Sequence, residues 1–302
     1  MSTAALLIVY CLLIAAASLA GGKLSSLLRM THLRTQLLMS GVGGLMIGIA
    51  LLHLLPHGGE VLRSHSQAGV GVLIGLTVMF LLIRLFHTHD HGVPVTENGD
   101  EVNAQPDHQH THCDHGHSHD HGDVKGISWA GLFFGLLLHT LVDGVALASS
   151  VIADASHGAW LGLAGLGTFL AVLLHKPLDA FAIISVMSKQ NWPQAAQNAA
   201  NLAFSLACPI GALAFYFGAT TFAANSGVLG WGLTISAGFF IGIALADLLP
   251  EVAFHDHDRG KLTTAFLLGI AIAVGIENLP GHDHGTHEPA HSEHSHDHGH
   301  DH

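Results

Sequence analysis

Long apolar runs separated by short polar segments occupy most of the chain, and this pattern predicts helices that cross a membrane. A spanning helix needs about 20 mostly apolar residues. Frequent Gly and Ala, as in GVGGLMIGIA, suit close helix packing in lipid. The runs that meet these conditions are 4–20, 36–55, 68–86, 127–152, 159–187, 195–219, 228–249 and 262–279. The pattern therefore predicts an all-α integral membrane protein with eight transmembrane helices in a lipid bilayer.

The basic residues indicate which side of the membrane each loop faces, because Lys and Arg concentrate in cytoplasmic loops. If the N-terminus lies outside, only Arg63 falls outside and Lys176 lies within a span. The others fall on the cytoplasmic side: Lys23, Arg29, Arg34, Arg84, Lys125, Lys189, Arg259 and Lys261. No basic residue precedes the first apolar run, so we interpret it as an uncleaved span. We expect both termini outside, and short loops without an organellar targeting segment favour a bacterial cytoplasmic (inner) membrane.

Two similar segments indicate an internal repeat. GIALLHLLPH at 48–57 and GIALADLLPE at 242–251 are identical at seven of ten positions, and in the expected topology they run in opposite directions. This predicts an inverted repeat of spans 1–3 and 6–8 around spans 4–5. The polar residues His53 and His57 would then lie towards one face of the membrane, and Asp247 and Glu251 would lie towards the other. The alternative is chance similarity between two apolar strings that share a proline.

Two spans carry a His and an Asp four residues apart, in LLLHTLVDGVA at 136–146 and LLHKPLDAFA at 173–182. Residues i and i+4 share one helix face, and we expect the two pairs at matching depth on adjacent antiparallel helices. Each charge at mid-membrane costs on the order of 3 kcal/mol, which a shared dication would offset. The two pairs thus predict a metal site with two nitrogen and two oxygen ligands, which suits Zn²⁺ and also Fe²⁺, Mn²⁺, Co²⁺ or Cd²⁺. Its ligands would be His139, Asp143, His175 and Asp179. The alternative is two structural His–Asp pairs that join helices.

Lys176 and Pro177 lie inside the second of these motifs. Lys176 would balance the carboxylates when no metal is bound, and we hypothesise that it couples occupancy to protonation. Alternatively, it is a packing residue whose ammonium reaches towards the inner face. Pro177 frees the carbonyl of Leu173, and free backbone groups at this depth are tolerated mainly beside a cavity.

Two histidine-rich segments, 87–126 and 281–302, interrupt and end the apolar pattern. They divide the chain into spans 1–3 (1–86), a cytoplasmic loop (87–126), spans 4–8 (127–280) and an extracytoplasmic tail (281–302). Both segments should be disordered without metal and should gather metal ions through their imidazoles. The alternative is that both segments are low-complexity sequence that is merely solvated and has no specific role in metal binding.

Composition supports a membrane protein and excludes some partners. Charged residues make up 11% of the chain, and the net charge is −12 with His neutral. There is no basic face for nucleic acid. Cys11, Cys113 and Cys208 suggest no disulfide framework. The sequence is compatible with a homodimer.

With these residues in place, the chain resembles the ZIP (Zrt-, Irt-like protein) metal transporters over nearly its whole length. The family's span-four signature H-N-x-x-[DE]-G corresponds to 139–144, and its span-five signature corresponds to 175–179. The resemblance implies eight spans, both ends outside and uptake into the cytoplasm, with spans two and seven lining the path. His53 and His57 would then serve the outer mouth, and Asp247 and Glu251 the inner mouth.

The departures from the family pattern concern a second metal that many members hold beside the first. The resemblance implies that its ligands would come from positions occupied here by Thr140, Lys176 and Cys208. These residues make a two-metal centre doubtful, so we expect a single transport site.

Three other functions would also place metal-binding residues in a membrane protein. A cation-diffusion-facilitator exporter also uses paired [HD]xxxD motifs, but it usually has six spans and a soluble metal-binding domain. An intramembrane metallohydrolase would need an open metal position and a general base; here four ligands fill the shell, and we expect no enzyme. A metal sensor or buffer would leave the membrane ligands unexplained.

Overall fold

The computed structural model of the chain describes residues 2–24, 32–86, 129–157, 163–221, 226–254 and 259–279. The histidine-rich segments 87–126 and 281–302, with Cys113, lie outside the described residues. Within the described ranges the structure is helical, without strands: α1 (Thr3–Leu24), α2 (His32–Ile49), a π-helical turn (Ala50–Leu54), α3 (Leu55–Leu62), α4 (His65–Phe86), α5 (Trp129–His157), α6 (Leu166–Lys189), α7 (Gln194–Thr221), α8 (Ser226–Phe254) and α9 (Arg259–Glu277).

The part of the chain that the structure describes contains eight membrane-length helices, because α2, the π turn and α3 form one continuous rod. All eight are long and apolar enough to cross a bilayer, which confirms the fold class predicted from the hydrophobic pattern.

The start of α6 differs from the prediction. The apolar run suggested a helix from residue 159, whereas α6 begins at Leu166 after Gly165, whose φ is +74°. A left-handed residue cannot continue a right-handed helix, and glycine adopts that conformation without steric cost. A Cβ at Gly165 would also meet the Val151 side chain of α5. Composition alone does not reveal this break, since the segment is apolar throughout.

The π turn in the second rod accompanies a proline. Pro56 has no N–H, and its ring crowds the carbonyl four residues earlier. The backbone N–H of Leu55 bonds to the carbonyl of Ala50, five residues back, so the turn is one residue wider than an α-helical turn. His53 lies inside this widened turn. Such turns frequently occur at functional sites.

The helices pack in parallel pairs that reflect the predicted repeat. The repeat matches spans 1–3 with spans 6–8, and span 4 with span 5. Under this matching, the packed pair α1·α6 corresponds to the packed pair α7·α5, and α2·α9 corresponds to α8·α4. Glycines at equivalent positions make equivalent contacts: Gly44 and Gly48 pack on α9, and Gly238 and Gly242 pack on α4. The packing therefore follows the order expected of an inverted repeat around α5 and α6.

Helices α2, α5 and α8 are the most enclosed spans, whereas the other five present more of their surface outward. Large apolar side chains cover that outer surface, among them Leu12, Leu73, Leu85, Phe217 and Leu268. This is the surface expected to face lipid. The enclosed helices bring the polar side chains of α5 into the centre of the bundle.

Candidate metal centre

Helices α5 and α6 run antiparallel and bring the two predicted His–Asp pairs together near the middle of the bundle. Asp143 Oδ2 lies 3.3 Å from His139 Nε2 and 3.3 Å from His175 Nε2. The two imidazole rings are 5.6 Å apart between centroids. One ligand atom from each of these three buried residues lies within 4.8 Å of the others. This is a spacing that one metal ion can bridge.

Asp179, the fourth predicted ligand, lies beside this group of three. Its Oδ2 atom is 3.6 Å from His139 Nε2 and 4.0 Å from His175 Nε2. It is also the most accessible of the four, since 19% of its side chain is exposed. We call His139, Asp143, His175 and Asp179 the central site.

Lys176 holds the two carboxylates of the central site together. Its Nζ pairs with Asp143 and, at 3.2 Å, with Asp179 Oδ2, and it donates a hydrogen bond of 3.0 Å to Thr140 Oγ1. The ammonium also lies 5.5 Å from the centroid of the Phe204 ring. Two carboxylates and one ammonium leave one net negative charge when both imidazoles are neutral.

The His175 imidazole presents a lone pair towards a carboxylate of the central site. His175 Nδ1 lies 2.7 Å from the carbonyl oxygen of Ala171; because a carbonyl only accepts, Nδ1 carries the proton. The Nε2 atom of a neutral His175 is then an acceptor that faces the acceptor Asp143 Oδ2. A cation between them would turn this unfavourable contact into two coordinate bonds.

His139 provides a second sign of an unfilled coordination shell. Both of its ring nitrogens are buried without a hydrogen-bond partner, and so is Asp143 Oδ1. Buried polar atoms in proteins are nearly always paired, and leaving one unpaired is costly. His139 Nε2 is the nitrogen that lies near Asp143 and Asp179, so the donor set fits a bound divalent cation.

Thr140 and Cys208 border the central site. The Thr140 hydroxyl donates to the carbonyl of Leu136 at 2.7 Å, which leaves its lone pairs for Lys176. Cys208 is a buried free cysteine of α7. Its backbone oxygen lies where a Cβ on Gly144 would have to fit. Cys208 does not join a ligand group among the described residues.

A second cluster lies at the end of the bundle where α1 begins and α9 ends. It comprises His53, His57, Asp154 and Glu277, and we call it the terminal cluster. His53 lies 3.1 Å from Asp154 through Nε2 and 3.2 Å from Glu277 through Nδ1. His53 and His57 were expected to line the path, whereas Asp154 and Glu277 were not singled out from the sequence. The side chains of Asp247 and Glu251, the expected inner pair, lie outside the described residues.

At the opposite end of the bundle, a polar cavity of about 300 Å³ lies between α1, α6 and α7. Its lining includes Gly22, Ser185, Ser188, Gln197 and Asn201. Ser185 follows Asp179 by six residues on α6, which is about 9 Å along the helix. The cavity therefore lies just beyond the most exposed ligand of the central site.

Comparison with known families bears on what this arrangement does. A family model described as ZIP zinc transporter matches residues 1–277. This chain belongs to the ZIP zinc transporter family. The match begins with α1 and ends with Glu277 of α9, so it covers every described span. A search of curated proteins finds no match.

Family membership confirms the resemblance seen in the two His–Asp motifs and implies a divalent metal transporter of the membrane. It favours ZIP-type transport over the cation-diffusion-facilitator alternative. Because the family consists of transporters, it also weighs against an intramembrane hydrolase.

Proposed function

We propose that this ZIP family member moves divalent transition-metal ions, Zn²⁺ foremost, into the cytoplasm through one central site. The ligands are His139, Asp143, His175 and Asp179. The observation that carries this proposal is the convergence of three buried ligand atoms within 4.8 Å, two of whose residues keep unsatisfied polar atoms.

The chemistry of the donor set supports Zn²⁺. Two imidazole nitrogens and two carboxylate oxygens give a four-coordinate shell of the kind that Zn²⁺ accepts readily, while Fe²⁺, Mn²⁺, Co²⁺ and Cd²⁺ also suit it. Here the ion is the transported substrate, and no resident cofactor is proposed.

Binding requires an exchange of cations at the carboxylates. Lys176 pairs with both Asp143 and Asp179, so an arriving ion must displace the ammonium from at least one of them. The ammonium then competes for the same oxygens and promotes release of the ion. Lys176 also stands at a position that, by the family resemblance, supplies a ligand for a second metal in other members. A lysine there supports a single transport site. The proton coupling predicted for Lys176 stays a prediction.

The charge distribution and the cavity support transport towards the cytoplasm. By the topology expected from the sequence, most Lys and Arg fall in the loops at the cavity end, which supports a cytoplasmic location for that end and termini that lie outside. The opposite side of the central site is closed by buried Ala146, Leu147 and Val172. In this orientation the described conformation faces inward. The bacterial inner membrane and a homodimer stay predictions.

Metal uptake into proteoliposomes tests the proposal. The full chain is reconstituted, and accumulation of Zn²⁺ is compared with that of Fe²⁺, Mn²⁺, Co²⁺, Ni²⁺ and Cd²⁺. Wild type should take up Zn²⁺, whereas His175→Ala and Asp179→Ala should lose uptake. His65→Ala is the matched control, since His65 is an exposed histidine at the start of α4. Undiminished uptake by both site variants would refute the central site as the transport route. Accumulation only towards the outer side in oriented vesicles would refute import.

A further inference from the structure

We propose that the terminal cluster is a second, occluded divalent cation site, with His53, His57 and Asp154 as ligands and Glu277 as the partner that orients His53. The proposal goes beyond transport through the central site. It concerns an ion that binds separately, and it depends on different residues.

The geometry of the three ligands matches that of the central site. Asp154 Oδ1 lies 3.1 Å from His53 Nε2 and 3.9 Å from His57 Nε2. One ligand atom from each residue lies within 4.8 Å of the others, and all three residues are buried. Three helical segments supply these ligands: the π turn, α3 and α5. The site therefore exists only in the folded bundle.

Each ligand is held by its other polar atom. His57 Nδ1 donates to the carbonyl of His53 at 2.9 Å, and His53 Nδ1 lies 3.2 Å from Glu277 Oε2. Asp154 Oδ2 accepts a hydrogen bond of 2.7 Å from the backbone N–H of Gly165. Metal-binding histidines almost always donate their second N–H to a carboxylate or a backbone carbonyl. Both histidines here have such a partner, and the Nε2 atom of each lies within 3.9 Å of Asp154 Oδ1.

The charges of the cluster favour a dication. Asp154 contributes a buried carboxylate, and Glu277 contributes a second one that is 15% exposed. Neutral imidazoles with Nδ1 protonated direct lone pairs at one of these carboxylates. A divalent ion would balance both carboxylates and fill the space between the acceptors. The mixture of imidazole and carboxylate suits Zn²⁺, Co²⁺ or Cd²⁺ rather than Mg²⁺ or Ca²⁺.

Neighbouring hydroxyls add polar support at the same place. Ser150 Oγ lies 3.0 Å from His53 Nε2, and Thr168 Oγ1 donates to Ser150 Oγ at 3.0 Å. Both residues are fully buried. They link α5 and α6 on the side of the cluster that faces the central site.

The terminal cluster is separated from the central site. Asp154 follows Asp143 by eleven residues on α5, which is about 16 Å along the helix. Ala146 and Leu147 of α5 and Val172 of α6 lie between the two and are fully buried. One ion cannot bridge this distance, so occupancy of one site does not require occupancy of the other.

Crystals of the full chain soaked in Cd²⁺ test the proposal by position, which avoids confusion with ions held by the histidine-rich segments. Anomalous diffraction should show cadmium within coordinating distance of His57 Nε2 and Asp154 Oδ1. This peak should vanish in Asp154→Asn and persist in His139→Ala. Cadmium at the central site with an empty terminal cluster would overturn this proposal and leave the transport proposal standing. Cadmium at the cluster with an empty central site would support it and contradict the proposed transport site.

Equilibrium binding in solution gives a second measurement. Wild type, Asp154→Asn and Glu277→Gln are titrated with Cd²⁺ beside the control Glu60→Gln, which removes an exposed carboxylate of α3 at the same end of the bundle. Asp154→Asn should lose one equivalent of tightly bound Cd²⁺. Glu277→Gln should weaken that equivalent roughly tenfold, since removing the partner of a ligating histidine has about this effect. If Asp154→Asn binds as many ions as Glu60→Gln with the same affinity, the terminal cluster is not a cation site.

Discussion

In the central site an ammonium lies between two carboxylates, whereas in the terminal cluster an imidazole does. Lys176 pairs with Asp143 and Asp179, and His53 contacts Asp154 and Glu277. A lysine offers only donors and must leave before a metal binds. An imidazole can become a ligand in place. The central site is thus suited to exchange of ions, and the terminal cluster to retention of one.

The two regions also differ in access. Asp179 of the central site is partly exposed and lies near the 300 Å³ polar cavity. The three ligands of the terminal cluster are buried. A transported ion must leave its site quickly, so access on the release side is expected at the central site. These differences predict that the same kind of substitution will have unequal effects in the two regions.

The largest effect is expected from Asp143→Asn. Asp143 is the carboxylate that both central histidines and Lys176 contact, so its loss removes a ligand and leaves a buried ammonium with one partner fewer. Zn²⁺ uptake by proteoliposomes should fall at least about 100-fold, and losing one partner of a buried ion pair should cost about 3–5 kcal/mol of stability. Asp154→Asn should reduce uptake far less. Equal losses in the two variants would remove the distinction between an exchange site and a retention site.

The next largest effect is expected from Lys176→Met. Without the ammonium, the two carboxylates repel each other in the metal-free protein, and a metal ion meets no competitor. The melting temperature of the metal-free protein should fall. The rise in melting temperature that Zn²⁺ causes should be larger than in wild type. Maximal uptake should drop roughly tenfold because tighter binding slows release. Lys261→Met, at an exposed lysine of α9, is the control. A smaller Zn²⁺-induced increase in melting temperature than in wild type would contradict competition by Lys176.

A smaller effect is expected from His57→Ala in the terminal cluster. His57 contributes the more distant contact to Asp154, at 3.9 Å. Its loss should weaken binding of the proposed second ion by at least about tenfold, since even the loss of a partner of a ligating histidine has about that effect, while Zn²⁺ uptake should fall only a few-fold. The measurement is Cd²⁺ titration alongside proteoliposome uptake. If uptake falls as far as in His175→Ala, the terminal cluster belongs to the transport step itself.

The convergence of the central side chains was predictable because each His–Asp pair is local: a spacing of four residues on one helix fixes the shared face. The matching depth of the two pairs followed from the expected topology. Asp154 and Glu277 gave no comparable signal. Each is a single acid near the end of its helix, where acids are common, and each meets its partners only across the packed bundle. The π turn at His53 was also hidden, since proline indicates a disturbed helix without specifying how the turn widens.

The smallest effect on transport is expected from glycine substitutions beside the two regions. A Cβ on Gly144, next to Asp143, would meet the backbone of Cys208, Gly211 and Ala212 in α7. Because backbone cannot rotate away, α5 and α7 must separate, and Gly144→Ala should cost about 1–3 kcal/mol of stability and reduce Zn²⁺ uptake less than His57→Ala does. At Gly59, near the terminal cluster, a Cβ would be 3.7 Å from His65 Nδ1 and 3.8 Å from Ala68 Cβ. These are ordinary contacts, so Gly59→Ala should be tolerated. Thermal unfolding of both variants measures the difference, and a Gly59→Ala variant that loses as much stability as Gly144→Ala would contradict the difference in clearance between the two positions.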